Sequence, residues 1–455
     1  MSYLSTIRDY DPELHKLAVR EVARQSSKIC MIASENYASE AVYEAATTLF
    51  NNKYAEGLPR RRYYQGCEVV DDLEDLVIAR LTRLFDMPNA NVQPYSGSPA
   101  NLSVYSALLK PGEKLLGMHL PSGGHLSHGW PVSSSGKFFH SCFYGYSAEK
   151  GITGLDPTTG LLDYDEIRKV ARRERPQIIV SGSSSYPRTI DFAEFGRIAE
   201  DVGALMLADI AHISGLVAAK VHPSPSRHAD VVSSTSHKLL RGPRGAFLLS
   251  SGRSIKVGEK DRPISDLIDR AVFPFLQGGA HYSAIAALAV ALKEAAEPDF
   301  VKYAKLVVAN ARRLAKELQD RGFNIVTGGT DNHLMVIDVN KSFGFGGKQF
   351  AETLDRAGIV CNFNTVPADP RPPANPSGIR LGTPAITSRG FVEADMPAVA
   401  DWIHAAARDE SEANVRRIRG EIAEFCGAPR LKIPGLDAAA LAGIMGSFDW
   451  RSEFG

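Results

Sequence analysis

The chain has 455 residues, 44% hydrophobic and 23% charged, with Lys+Arg and Asp+Glu both 52. That length exceeds one compact core and predicts two or three domains of an ordinary soluble globular protein. A formal net charge of zero excludes a general electrostatic attraction to nucleic acid or anionic lipid.

The opening stretch "MSYLSTIRDYDPELHK" carries charges where a signal peptide needs an apolar core, and an amphipathic pattern over about Pro12 to Gln25 predicts a first helix. From about Ile29 to Ala280, helical patterns alternate with short apolar runs. In "NVQPYSGSPANLSVYSALL", Ser96, Gly97 and Ser98 stand immediately before an amphipathic helix. Backbone N–H groups at such a helix start suit a phosphate; a plain cap by Ser98 accounts for the same residues.

The clearest strands are "PQIIVSG", "GALMLAD", "ADVVSST" and "GAFLLSS", continuous apolar runs of the kind buried on both faces. Between the first two lies "DFAEFGRIAEDVG", a helix with a terminal glycine. This βαβ rhythm predicts an α/β fold with a largely parallel sheet. The longest nearly apolar run, Gly203 to Val221, contains Asp209 and His212, which excludes a transmembrane span. Cys30, Cys67, Cys142, Cys361 and Cys426 are odd in number, far apart and without a CxxC pair, so neither a disulfide framework nor a zinc site is expected. The chain reads as a soluble cytoplasmic protein with no membrane or nucleic-acid partner.

After "AVFPFLQGGAHYSA" the texture changes. A long helical stretch from about Ala284 to Arg321 predicts a helix connecting two domains. "HLMVIDVN", "GIVCNFN" and "SGIRLGTP" then read as strands of a smaller C-terminal α+β domain, with the Pro-rich loop Val366 to Gly378 before the last. The expected division is an N-terminal helical segment 1–28, a large domain 29–283 and a small domain 284–455.

Asp209 ends one predicted strand and Lys238, in "SSTSHKLLRGPRG", ends another one crossover later. A carboxylate at that edge faces the ligand crevice of an open α/β sheet; a structural salt bridge is the competing reading. A phosphate cup, an acid and a lone lysine on one sheet edge are the three needs of pyridoxal 5′-phosphate: a Schiff-base amine, a partner for the protonated pyridine nitrogen, and an anion site. Lysine suits the first because its amine loses its proton readily when desolvated. Rival chemistries lack their motifs, since no GxSxG elbow and no HExxH occur, and "GFGFGGKQ" lacks the spacing of a phosphate loop.

These residues lie within a longer series of motifs: "MIASENYAS", "NNKYAEG", "RRYYQGCE", "NVQPYSGSPAN", "GGHLSHG", "ADIAHISGLVAA", "SHKLLRGPRG", "LQGG", "GGTDNHL", "NTVP" and "SGIRLGTPA". In this order the chain resembles serine hydroxymethyltransferase, a fold-type I pyridoxal-phosphate family, over nearly its whole length. The resemblance implies a large domain with a mostly parallel seven-stranded sheet and a smaller C-terminal domain. It implies that Lys238 is the Schiff-base lysine, Asp209 the pyridinium partner, and His125 the imidazole stacked on the cofactor. Ser96, Gly97 and Ser98 would hold the phosphate, helped by Tyr54, Gly278 and Gly279 of a neighbouring subunit. Ser184, His212, Thr235 and His237 would surround the cofactor. Arg380, assisted by Ser34, would hold the substrate carboxylate. Glu56, with Tyr64 beside it, would be the acid/base group at the hydroxymethyl carbon. Leu120, Leu126 and Asn364 fall where the family binds folate. The implied reaction is reversible transfer of the serine hydroxymethyl group to tetrahydrofolate, giving glycine. A homodimer with shared sites, or a tetramer of such dimers, would be the working unit.

The chain departs from the family's usual pattern at Leu58, Arg60, Gln65, Ala280, Ser283, Phe363 and around Ala374. These positions cluster near Glu56, the subunit junction and the loop before Arg380. They leave open a relative acting on α-methylserine, threonine or another β-hydroxy amino acid. A catalytically idle homologue is a third reading, against which every expected catalytic position is occupied. The tail after "LKIPGLDAA" matches no motif.

Overall fold

A computed structural model of the chain describes residues 4–435. Residues 1–3 of the expected N-terminal segment and 436–455 of the expected small domain, with the uninterpreted tail, lie outside the described residues.

Seven strands build the large sheet: β1 (Asn89–Asn91), β2 (Lys114–Met118), β3 (His140–Tyr144), β4 (Ile178–Ser181), β5 (Leu205–Asp209), β6 (Val231–Thr235) and β7 (Ala246–Ser250). Their spatial order is β1-β7-β6-β5-β4-β2-β3. The pairs β3·β2, β2·β4, β4·β5 and β5·β6 are parallel, and β7 runs antiparallel to both β6 and β1. All five residues of β6 and of β7 are buried, as their unbroken apolar or small-polar runs predict. The mostly parallel seven-stranded sheet of the fold-type I class is therefore present. Residues 192–202 form the crossover helix between β4 and β5, and Gly203 ends it at φ 72°.

Four further strands, β8 (Asn324–Ile325), β9 (Leu334–Asp338), β10 (Asn362–Asn364) and β11 (Gly378–Gly382), form an antiparallel sheet in the order β8-β9-β11-β10. The run "GIVCNFN" does not make one strand. Ile359 and Val360 pair instead with Ile29 and Cys30, so the chain turns between two sheets at Cys361.

Five helices position the site: α1 (Pro12–Ser27), α2 (Glu68–Phe85), α3 (Gly97–Leu108), α4 (Tyr282–Ala295) and α5 (Pro298–Asp320). The expected single helix from 284 to 321 is two, because Pro298 has no N–H to continue a helix and instead starts α5 at its first turn. In α5, Phe300, Tyr303, Ala304, Val307 and Val308 pack into the core of the large sheet. One turn later, Ala311, Leu314, Ala315 and Leu318 pack into a second core with β9, β11 and the C-terminal helices. The apolar groupings therefore change over inside α5, while most buried residues of α4 belong with the large core and Ala287 and Ala291 pack with Val42. At the other end of the chain, Arg389 donates to the carbonyls of Gln25, Ser26 and Lys28, tying the last turn of α1 to the small core.

Candidate active site

The carboxyl ends of β4, β5 and β6 and the N-terminus of α3 enclose a cavity of about 280 Å³. This is the edge where parallel α/β sheets expose groups that satisfy no neighbour of their own. Ser34, Ser96, Gly97, Ser98, His125, Ser184, Asp209, His212, Thr235, His237 and Lys238 all line it. Eleven positions spread over two hundred residues of sequence are thus brought together by the fold.

Lys238 lies just past β6, and its Nζ has no hydrogen-bond or ion-pair partner among the described residues. Burial pushes its amine down to about 8, with Arg380 and Arg244 adding to the effect and Asp209 opposing it. An amine so shifted gives up its proton near neutrality and is free to act as a nucleophile.

Asp209 is held from three sides. Its Oδ2 accepts from Asn101 Nδ2 at 2.8 Å and lies 3.0 Å from His128 Nε2, while its Oδ1 accepts from the Ala211 N–H at 3.0 Å. Burial alone would raise this carboxyl, but the bond to His128 and the nearby positive charges outweigh it and keep it well below its usual range. The partner is His128, so a structural hydrogen bond is part of the answer; the carboxylate nonetheless borders the cavity. The approach is close: Gly182, at φ 129°, packs on the Asp209 carbonyl, where a Cβ would collide.

The helix start is arranged for an anion. Ser96 is the N-cap of α3, its side chain makes no cap bond, and Ser98 sits inside the helix. The reading of Ser98 as a structural cap is thereby corrected. Both hydroxyls and the first N–H groups are left for a ligand. Gly97 permits this packing, since a Cβ there would lie 2.8 Å from Thr235 Cγ2.

The histidines around the cavity are held neutral by desolvation. His125 and His237 are each pushed down to about 4, and His212 falls well below its ordinary value. His125 Nδ1 lies 2.7 Å from Ser127 Oγ. His212 stacks on the buried His333 at 5.7 Å. Thr235 Oγ1, His212 Nδ1 and His237 Nδ1 are buried without partners among the described residues, an arrangement that calls for a polar ligand.

Arg380, on β11, does not itself line this cavity but bonds its wall at Ser184. Its Nη1 donates to the Ser184 carbonyl at 2.6 Å, and burial lowers it to about 10. Among the described residues no carboxylate pairs with it.

A second group is gathered elsewhere. Tyr54 Oη donates to Glu56 Oε1 at 3.1 Å, and the Tyr54 and Tyr64 rings meet edge-on at 5.2 Å. A Cβ on Gly278 would lie 3.0 Å from Glu56 Oε1, and one on Gly279 would lie 3.5 Å from the Tyr54 ring. Tyr54 and Tyr64 are 57% and 44% exposed, and none of these five residues borders the cavity. Of the remaining positions, Asn364 donates to the Thr365 carbonyl, and Thr365 Oγ1 donates to the carbonyl of Pro121, next to Leu120. Leu126 projects outward, 46% exposed.

Sequence reasoning passed over Asn101, Arg244 and Ser183, which also line the cavity, and treated His128 as structural. Asn101 had a signal: it stands four residues after Gly97, on the same helix face, and asparagine is a poor helix former unless its amide is used. His128 had none, because only the fold sets its ring against Asp209.

A family model described as serine hydroxymethyltransferase matches residues 7–403. The protein named serine hydroxymethyltransferase in Acidothermus cellulolyticus is 52% identical over 441 residues, covering 95% of this chain and 98% of that protein. One of the same name in Sorangium cellulosum is 48% identical over 424 residues, with 93% and 96% covered. Serine hydroxymethyltransferase 2 of Mesorhizobium japonicum is 48% identical over 437 residues, with 95% and 97% covered.

Proposed function

The chain belongs to the serine hydroxymethyltransferase family, and we propose that it is a pyridoxal 5′-phosphate enzyme. It reversibly transfers the hydroxymethyl group of L-serine to tetrahydrofolate, giving glycine and 5,10-methylenetetrahydrofolate. The observation that carries this reading is the single cavity in which an unpaired Lys238, a triply held Asp209 and an uncapped helix start converge.

The residues fit the cofactor. Lys238 is its covalent anchor, the only amine among the described residues bordering the cavity. Ser96, Gly97 and Ser98 hold its phosphate at the start of α3. Asp209, ionised, keeps a proton on the pyridine nitrogen. His125, neutral, offers a flat uncharged face, and His212, Thr235 and His237 supply buried polar atoms with no partner among the described residues, with Ser184 beside them. Bound there, the cofactor supplies an electron-withdrawing ring that takes up the charge left on the substrate α-carbon.

The chain's own residues do the rest. Arg380 binds the serine carboxylate through a planar fork that suits a bidentate anion, with Ser34 beside it. Glu56, aided by Tyr64, moves the proton at the hydroxymethyl oxygen. Leu120, Leu126 and Asn364 seat the folate. Tyr54, Glu56, Gly278 and Gly279, which do not border their own chain's cavity, complete the cavity of a second copy, so the working unit is a homodimer. Its five cysteines are all unpaired, which supports a reducing, cytoplasmic setting.

The names of the relatives favour serine over α-methylserine. With the cofactor-loaded enzyme, glycine formation from L-serine should rise strongly when tetrahydrofolate is added, and α-methylserine should react more slowly. Faster turnover of α-methylserine, or a rate indifferent to folate, overturns the reading.

A further inference from the structure

Arg380 is held by two neutral acceptors, and one of them is a side chain that no other part of the mechanism uses. In the small sheet, Asn362 of β10 lies directly opposite Arg380 of β11 in the antiparallel register. Residues so paired project from the same face, and Asn362 Oδ1 accepts from Arg380 Nε at 3.1 Å. The amide is itself fixed, because Asn362 Nδ2 donates to the Phe363 carbonyl at 2.8 Å. Its oxygen is thereby turned toward the guanidinium.

The consequence follows from counting donors. A guanidinium has five N–H groups in a rigid plane. Asn362 takes the one on Nε, and the Ser184 carbonyl takes one on Nη1. The three unpaired donors are two on Nη2 and one on Nη1, so both terminal nitrogens, which frame the end-on edge of the fork, keep a donor for a ligand. Two opposite grips on one plane also remove rotation about its long axis. From this we infer that Asn362 is a positioning residue, which presets Arg380 so that its end-on edge receives the amino-acid carboxylate. Neutrality is part of the device: an aspartate at this place would pair with Arg380 and compete with the substrate for its charge. The inference rests on Arg380 being the carboxylate clamp.

The test uses the cofactor-loaded dimer and reads serine KM, kcat and glycine affinity by calorimetry. Asn362→Ala should raise KM and weaken glycine about tenfold, the scale of one hydrogen bond to a charged group, with kcat nearly unchanged. Asn362→Asp should do so by about a hundredfold, as an intramolecular ion pair takes the place of the substrate's. In an Arg380→Ala background, already weak for both ligands, neither Asn362 change should alter affinity further. Losses that persist undiminished in that background would mean a structural role and overturn the inference. Unchanged affinity in both Asn362 variants, with Arg380→Ala strongly impaired, would overturn it while leaving the clamp intact. An Arg380→Ala enzyme with normal affinity would instead remove the clamp reading itself.

Discussion

The residues around Lys238 and those around Glu56 are held by opposite means. Around Lys238, the strand ends themselves bring the side chains into a shared cavity, and the ligand-facing atoms are left unpaired inside it. Around Glu56, itself half-buried, the Tyr54 and Tyr64 rings stand at the surface, and order comes from beneath. Arg62, with only 4% of its side chain exposed, bonds Asp71 at 2.8 Å, Glu74 at 2.5 Å, the Gly57 carbonyl at 2.6 Å and Tyr282 Oη at 3.1 Å. Gln93 adds bonds to the Gly57 carbonyl and to Glu74. A surface group that is anchored so deeply has a fixed shape but no counterpart in its own chain. The first region is an enclosed cavity; the second is a rigidly anchored loop, which the proposed dimer would place against another copy.

The sharpest way to break that comparison is complementation. Lys238→Ala and Glu56→Gln should each be inactive alone, since each removes a group from every site. Mixed, exchanged and reassociated in equal amounts, they should recover about a quarter of wild-type activity, because half the dimers carry one intact site in two. Activity that stays at zero while heterodimers are demonstrably present would place Glu56 and Lys238 in the same chain's site.

Next in size is the anchor beneath the loop. Arg62→Met leaves Glu74 buried without its cation and Asp71 with only the 3.6 Å contact to Arg60, and unfolding free energy should fall by about 3–5 kcal/mol, read by urea denaturation. A loss below about 1 kcal/mol, the scale of an exposed pair, would show that the loop is held by other means.

The cavity makes the opposite demand, for there the cation is what costs stability. Lys238 holds its proton to about pH 8 when folded, against an ordinary value of 10.5. The unfolded chain therefore binds more protons between those values, so stability rises with pH across the window and the penalty is full below pH 8. In cofactor-free protein, Lys238→Met should be more stable than the parent at pH 7 by up to about 3 kcal/mol. The gap should close as pH approaches 10. A gap independent of pH would trace the effect to packing.

The smallest effect separates ligand binding from helix capping. A serine that caps a helix is worth about 1 kcal/mol, yet Ser96 makes no such bond. Ser96→Ala should change the stability of the cofactor-free protein by less than about 0.5 kcal/mol while weakening the affinity for pyridoxal 5′-phosphate, measured by fluorescence titration. The reverse pattern would restore the capping role.

Much of the large domain was legible in the sequence because strands buried on both faces must be continuously apolar. "QIIVS", "LMLAD" and "DVVSST" could be little else. Lys238 and Asp209 stood out for a related reason: a charge at the end of such a run needs a purpose. Pattern alone failed where one residue broke it, as at Pro298, or where neighbours outside the segment decided pairing, as for Ile359 and Val360.

The sequence by itself determined which segments are strands, which groups stand at their ends, and so the chemistry the chain is equipped for, since these depend on periodicity and residue type within a few positions. The tertiary structure alone decided that His128 and Asn101 would hold Asp209, that Asn362 would face Arg380 across a strand pair, and that Glu56 would point out of its own chain's cavity. Those outcomes rest on contacts between residues tens to hundreds of positions apart, and they are fixed by packing and register, which no local pattern carries.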